Sequence, residues 1–131
     1  MRNFFEALNI YMKKPPFHKS LLNSFEGVCW MLKSERNFQL EFFAFLINLF
    51  LIFVLKVNAI DAAVILIVCF TVLSLEILNT AVEKICDIIQ PNYDERIKII
   101  KDISSGAVVL MSICAVIVGL LVYPKYLAEF F

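Results

Sequence analysis

Soluble nucleotide chemistry has almost no footing in this chain. Its 131 residues hold no G-x-x-x-x-G-K-[S/T] loop, no G-x-G-x-x-G turn and no H-x-x-x-H pair, so no soluble nucleotide fold is available. Histidine occurs once, and the four cysteines (Cys29, Cys69, Cys86, Cys114) form no C-x-x-C pair and have no His partner. They read as small buried apolar residues rather than as metal ligands or a disulfide framework. Excess charge is missing too: twelve basic and twelve acidic residues cancel, which argues against a nucleic-acid partner. There is no internal repeat, low-complexity tract or dividing linker, so residues 1–131 read as one domain. The opening "MRNFFEALNIYMKKPP" has no apolar core before a small-residue cleavage site, so later apolar runs are expected to direct insertion.

Apolar residues dominate instead. They make up 61% of the chain, with thirteen Phe, against roughly 45–50% in an ordinary soluble domain. The excess falls in blocks, and crossing a bilayer takes roughly 17–25 apolar residues. Three blocks qualify: 38–56, 60–82 with its helix continuing to 89, and 103–123. The fold class is therefore an all-α membrane protein with three transmembrane helices. At about 1.5 Å per residue the second helix is on the order of 45 Å long, more than a hydrocarbon core of roughly 30 Å, so it should protrude.

Residues 1–36 carry amphipathic patterns. Phe4, Phe5, Leu8, Tyr11 and Met12 recur at helical spacing and are stopped by Pro15-Pro16. Leu21, Phe25, Val28, Cys29 and Leu32 mark a second apolar face, with Asn23, Glu26 and Lys33 elsewhere. Both are expected along the cytoplasmic membrane surface, the second alternatively against the bundle. Ten Lys and Arg lie before the first span or between the second and third; Lys56 and Lys125 alone fall on the other side. This predicts a cytoplasmic N-terminus and an outside C-terminus. Ser105, Ser112 and Gly119, seven apart, make a small-residue stripe that would permit close helix approach.

The chemistry-bearing stretch is "LEILNTAVEKICD". Glu76, Asn79, Glu83 and Asp87 stand at i, i+3, i+7 and i+11, and steps of about 100° keep them within about 60° on one helix face. Ionisable residues in a span usually face a bundle interior or a watery cavity. "SERNFQLE" brings Glu35 and Glu41 to the same membrane level, and "KDISSGA" brings Lys101 and Asp102. Carboxylate and amide oxygens suit Mg²⁺, a lysine can hold phosphate oxygens, and a carboxylate at the hydrocarbon edge is a candidate general base. Together these are the parts of phosphoryl transfer, with a lipid alcohol as acceptor. A set of interfacial ion pairs is the structural alternative for Glu83, Asp87 and Lys101.

Those residues resemble the small bacterial integral-membrane diacylglycerol kinases and their undecaprenol kinase relatives. "LEILNTAVEKICD" looks like that family's Glu-x-x-Asn-[Ser/Thr]-Ala-x-Glu-x-x-x-Asp signature, and "KDISSGAVVL" and "SERNFQLE" are similar to two further segments. The likeness runs from about Ser20 to Tyr123. It implies a homotrimeric bundle with N-terminal surface helices, active sites shared between subunits, and ATP with Mg²⁺ at the cytoplasmic face of a bacterial inner membrane. It further implies Glu76 as the catalytic base beside Asn79, and Glu35 and Glu83 as metal ligands that also touch ATP. Asn23, Asn92, Tyr93, Asp94, Lys101 and Asp102 would complete the nucleotide site. Asn37, Phe38, Gln39, Leu40, Glu41 and Ser105, with Glu76, would line the lipid path. Diacylglycerol is the leading acceptor. The alternatives are undecaprenol, a non-catalytic membrane scaffold, and a cation-conducting oligomer using Glu76 as a relay.

Overall fold

The computed structural model describes residues 15–131. The amphipathic pattern around Phe4 to Met12 lies outside the described residues. The described chain is four α-helices: α1 (Phe17–Ser34), α2 (Arg36–Val54), α3 (Ala59–Ile89) and α4 (Glu95–Phe130). The last three are long and apolar enough to cross a membrane.

The boundaries have local causes. Pro15 and Pro16 precede α1, where a missing N–H does no harm, and Pro16 O accepts from the amides of Lys19 and Ser20. A single extended residue, Glu35, with φ −109° and ψ 112°, separates α1 from α2. Gln39 steadies that break by donating its side-chain amide to the Leu32 carbonyl at 2.9 Å. At the end of α2, Val57 N donates to Ile52 O (3.1 Å) and Lys56 N to Phe53 O (3.3 Å). This is a Schellman termination, with Lys56 at φ 50° in the position usually given to glycine. Asn58 caps α3 by accepting from Asp61 N. Asp94 caps α4 by accepting from Arg96 N at 2.9 Å.

The main packing is the α3–α4 hairpin, with α2 against α3 and α1 against the start of α2. Two apolar cores result. One, near the α2–α3 turn, gathers Leu55, Ile65, Val122 and Tyr126. The other, near the α1–α2 break, joins Met31, Phe38 and Leu73. Between them most large side chains of α2 and α4 face outward, Phe50, Phe53, Leu110 and Leu121 among them, as suits surfaces that meet lipid or other helices.

Three features add detail to these expectations. The helix carrying the third span extends beyond the apolar stretch 103–123: it runs from Glu95 to Phe130 through Pro124, because Asp94 starts it early and apolar Leu127 and Phe130 continue it. The second amphipathic helix does form. However, Leu21, Leu22 and Phe25 on it are exposed and Met31 alone is buried, so only its last turn packs on the bundle. The small-residue stripe brings no neighbouring helix close within one chain. A Cβ on Gly119, the glycine of that stripe, would meet only Tyr123 of its own helix.

A polar clasp at the α2–α3 turn was not legible in the sequence. Asp61 Oδ2 accepts from Tyr126 Oη at 2.5 Å and pairs with Lys125 at 2.5 Å. Tyr126 Oη also accepts from Asn58 N (3.2 Å), and Tyr123 Oη donates to Asn48 Oδ1 (2.6 Å). Every polar group here finds a partner, as it must at the edge of an apolar bundle.

Candidate active site

Helix α3 carries its polar stripe on successive turns facing the α1–α2 break. Glu76, Asn79 and Thr80 are buried to 4%, 6% and 4% exposure, which is exceptional for an acid and an amide in so apolar a helix. Opposite them stand Asn37 and Glu41, one turn apart at the start of α2, and Glu35 at the break itself. Asn37 lies within reach of Glu76, and Glu35, Glu41 and Glu83 lie near enough for their like charge to act on it. Asn79 Nδ2 makes a long hydrogen bond of 3.4 Å to Glu83 Oε1. Glu41 Oε2 and Asn79 Oδ1 are buried with no hydrogen-bond partner among the described residues.

Two unsatisfied acceptor oxygens in a crowd of four carboxylates are costly, and a cation or a donor from a ligand would satisfy them. Among the described residues no three His, Cys, Asp or Glu side chains converge as a complete metal cage. Mg²⁺ needs no such cage, since one or two carboxylates together with phosphate oxygens and waters suffice. Glu35 and Glu83, with the free Asn79 Oδ1 between the turns, therefore fit a hard divalent cation shared with a phosphate ligand.

A second polar cluster lies one turn further along α3. Asp87, Gln90, Pro91, Asn92, Tyr93, Asp94, Ile97, Lys98, Lys101 and Asp102 enclose a cavity of about 280 Å³ at the α3–α4 turn. Lys101 Nζ lies 2.5 Å from Asp87, and Lys98 Nζ 2.7 Å from Asp102. Asp94 accepts from the Arg96 guanidinium at 2.8 Å and from its backbone amide. These bonds hold its carboxyl at about 2, below the ordinary aspartate value. Tyr93 stands 81% exposed at the rim.

The two clusters gather most of the expected site residues. Glu35, Asn37, Glu41, Glu76, Asn79 and Glu83 meet at the first; Asn92, Tyr93, Asp94, Lys101 and Asp102 line the second. Others fall elsewhere. Asn23 is exposed on α1 and does not line the cavity. Phe38, at 2% exposure, is turned into the core against Met31 and Leu73, whereas Leu40 is 59% exposed. Ser105 gives its hydroxyl to the Asp102 carbonyl (3.0 Å). Lys101, expected as a phosphate clamp, is already ion-paired with Asp87. Its fork position between α4 and the end of α3 makes that the shortest route to charge neutrality.

Lys84 was not singled out in the sequence. Its ammonium lies 3.2 Å from Glu35 Oε1 and 5.5 Å from the centre of the Trp30 ring. Its one sequence signal is a cation inside the acidic run, next to Glu83.

Residues 22–123 match the sequence model of a family described as prokaryotic diacylglycerol kinase. The chain is 35% identical over 112 residues to a diacylglycerol kinase of Synechocystis, covering 85% of this chain and 64% of that relative. It is 33% identical over 110 residues to an undecaprenol kinase of Bacillus subtilis, covering 83% of this chain and 89% of the relative. The chain thus spans under two thirds of the length of the Synechocystis protein.

Proposed function

The chain belongs to the prokaryotic diacylglycerol kinase family, and from that premise we propose that it phosphorylates the hydroxyl of a membrane lipid with ATP. Three long apolar helices in a family of prokaryotes identify a bacterial membrane protein. In the proposed reaction the lipid oxygen attacks the γ-phosphorus of ATP, the bond to the bridging oxygen breaks, and ADP leaves. Glu76 takes the hydroxyl proton. The observation that carries this reading is the burial of Glu76 and Asn79 on the face of α3 that looks toward Glu35, Glu41 and Glu83. A buried acid that serves only structure would be expected to have a cationic partner of its own, and none contacts Glu76 among the described residues.

Glu35 and Glu83 would hold Mg²⁺, which would neutralise charge on the phosphates. Asn79 would fix Glu83 through its side-chain amide. Asp87, Asn92, Tyr93, Asp94, Lys101 and Asp102 would hold the nucleotide in the cavity at the α3–α4 turn. Phosphate entry would release Lys101 from Asp87, exchanging one ion pair for another. The exposed start of α2, with Leu40 beside Asn37 and Glu41, is where an acyl chain would reach Glu76 from the bilayer.

The excess of basic residues at this end supports a site on the cytoplasmic face of the inner membrane, N-terminus inside and C-terminus outside. The outward-facing apolar side chains of α2 and α4 support a homotrimer that shares sites between subunits. Diacylglycerol is the leading acceptor. Undecaprenol is the second reading, favoured by the 89% coverage of the undecaprenol kinase relative.

The test is direct. Purified protein, γ-labelled ATP and Mg²⁺ are offered diacylglycerol and undecaprenol in separate micelles. Label is expected in one lipid phosphate; no label in either, nor in any bacterial lipid extract, would leave the scaffold alternative standing.

A further inference from the structure

Lys84 has no part in the reaction above, yet it sits against a residue that does. Its ammonium makes an ion pair with Glu35 Oε1 at 3.2 Å and lies 5.5 Å from the centroid of Trp30, the only tryptophan of the chain. The lysine side chain is 55% exposed and the glutamate 23%. A pair so open to solvent is held weakly, because water screens both charges and ordering two long side chains opposes the contact. It can therefore be exchanged.

Charge balance gives the exchange a direction. Glu35, Glu41, Glu76 and Glu83 crowd one end of the bundle, and a triphosphate arriving there adds several negative charges. The other cation close to Glu83, Lys101, rests on Asp87 one turn away, so two exchangeable ammonium groups, Lys84 and Lys101, stand at this end. If Glu35 binds a divalent cation, the ammonium beside it is repelled from the metal and loses its partner. The incoming phosphate oxygens then become the nearest uncompensated anion, and a four-carbon stem gives Lys84 the reach to follow them.

We propose that Lys84 is a transferable counter-ion. It holds Glu35 while no nucleotide is bound, and moves onto the phosphate chain when Glu35 takes up the divalent cation. This rests on the nucleotide-binding reading of the site and adds a phosphate-binding residue to it. Departure of Lys84 also takes the ammonium away from the Trp30 ring, so Trp30 emission reports the transfer.

The experiment titrates the purified full chain in detergent micelles with ATP and Mg²⁺, without any lipid acceptor. Trp30 fluorescence and binding of labelled ATP are followed together. In the unmodified protein emission changes saturably with the nucleotide. In Lys84→Gln affinity for Mg²⁺-ATP falls about tenfold, the order expected for loss of one charge-assisted contact, and the emission change disappears at matched occupancy. Lys84→Arg, which keeps the charge, restores most of the affinity. Circular dichroism melts on all three proteins separate a binding loss from a folding loss. Equal affinity in Lys84→Gln, or an unchanged emission response, overturns the proposal while leaving the kinase reading intact if the unmodified protein still labels lipid. Failure of the unmodified protein to bind Mg²⁺-ATP at all overturns both.

Discussion

Replacing Glu76 with Gln tests the site at its centre. The exchange keeps the shape of a side chain that is only 4% exposed, so it opens no cavity. It removes one carboxylate from a group that also holds Glu35, Glu41 and Glu83. Where those carboxylates are ionised they repel one another, so losing one relieves repulsion rather than adding any. The variant is therefore expected to be at least as stable as the parent, melting at the same temperature or higher. Catalysis should move the other way. A positioned general base contributes about 10²–10⁴-fold, or roughly 3–5 kcal/mol at about 1.4 kcal/mol per tenfold. The assay is transfer of label from γ-labelled ATP to diacylglycerol or undecaprenol in mixed micelles, beside ATP-binding and melting curves on the same preparation. Transfer falling by two to four orders of magnitude, with ATP affinity and melting temperature kept, is the expected pattern. Activity within tenfold of the parent would remove Glu76 from the base role. A loss of activity that tracks a lowered melting temperature would make it a structural residue instead.

Three further outcomes are expected. Glu83→Ala should raise the Mg²⁺ concentration for half-maximal transfer by tenfold or more; an unchanged metal dependence would take Glu83 out of the ligand set. Tyr126→Phe removes the hydroxyl shared by Asp61 and the Asn58 amide. It should cost roughly 1–2 kcal/mol in detergent melts with lipid phosphorylation at low temperature unchanged, and a melt identical to the parent would mean the clasp holds nothing. Asp94 titrates at about 2 in the folded chain against 3.8 for the free side chain. Its cap and its Arg96 pair are thus fully present above pH 3.8 and lost as pH falls through about 2. The stability difference between parent and Asp94→Asn should shrink over that window, and a constant difference would show that ionised Asp94 adds nothing.

The spans were legible because apolar runs of membrane length are rare by accident, and α3 ends at Ile89 as its pattern predicts. The extension of α4 to Phe130 was not, because it lies beyond the apolar run and passes an interior proline, Pro124, that removes one helical hydrogen bond while the others persist. In the site, the spacing of Glu76, Asn79 and Glu83 foretold one face, since helical periodicity alone fixes it. Partners across helices obey no such rule. Lys84 lies 49 positions from Glu35 in sequence, and Tyr126 lies 65 from Asp61. Phe38 shows a related effect: a neighbour of Asn37 turns the other way on a helix, into Met31 and Leu73.

Helices α3 and α4 are pinned at both extremities, by Lys101 on Asp87 at one and by Tyr126 and Lys125 on Asp61 at the other. A slip of one residue, about 1.5 Å along the axis, would break both fastenings at once. The hairpin is thus held in register at rest, and the Asp61 end keeps it so even where a ligand draws Lys101 off Asp87. By contrast, α1 joins α2 through the single extended residue Glu35, the one break in helix between them. A cation taken up by Glu35 would then also fix the angle at which those two helices meet.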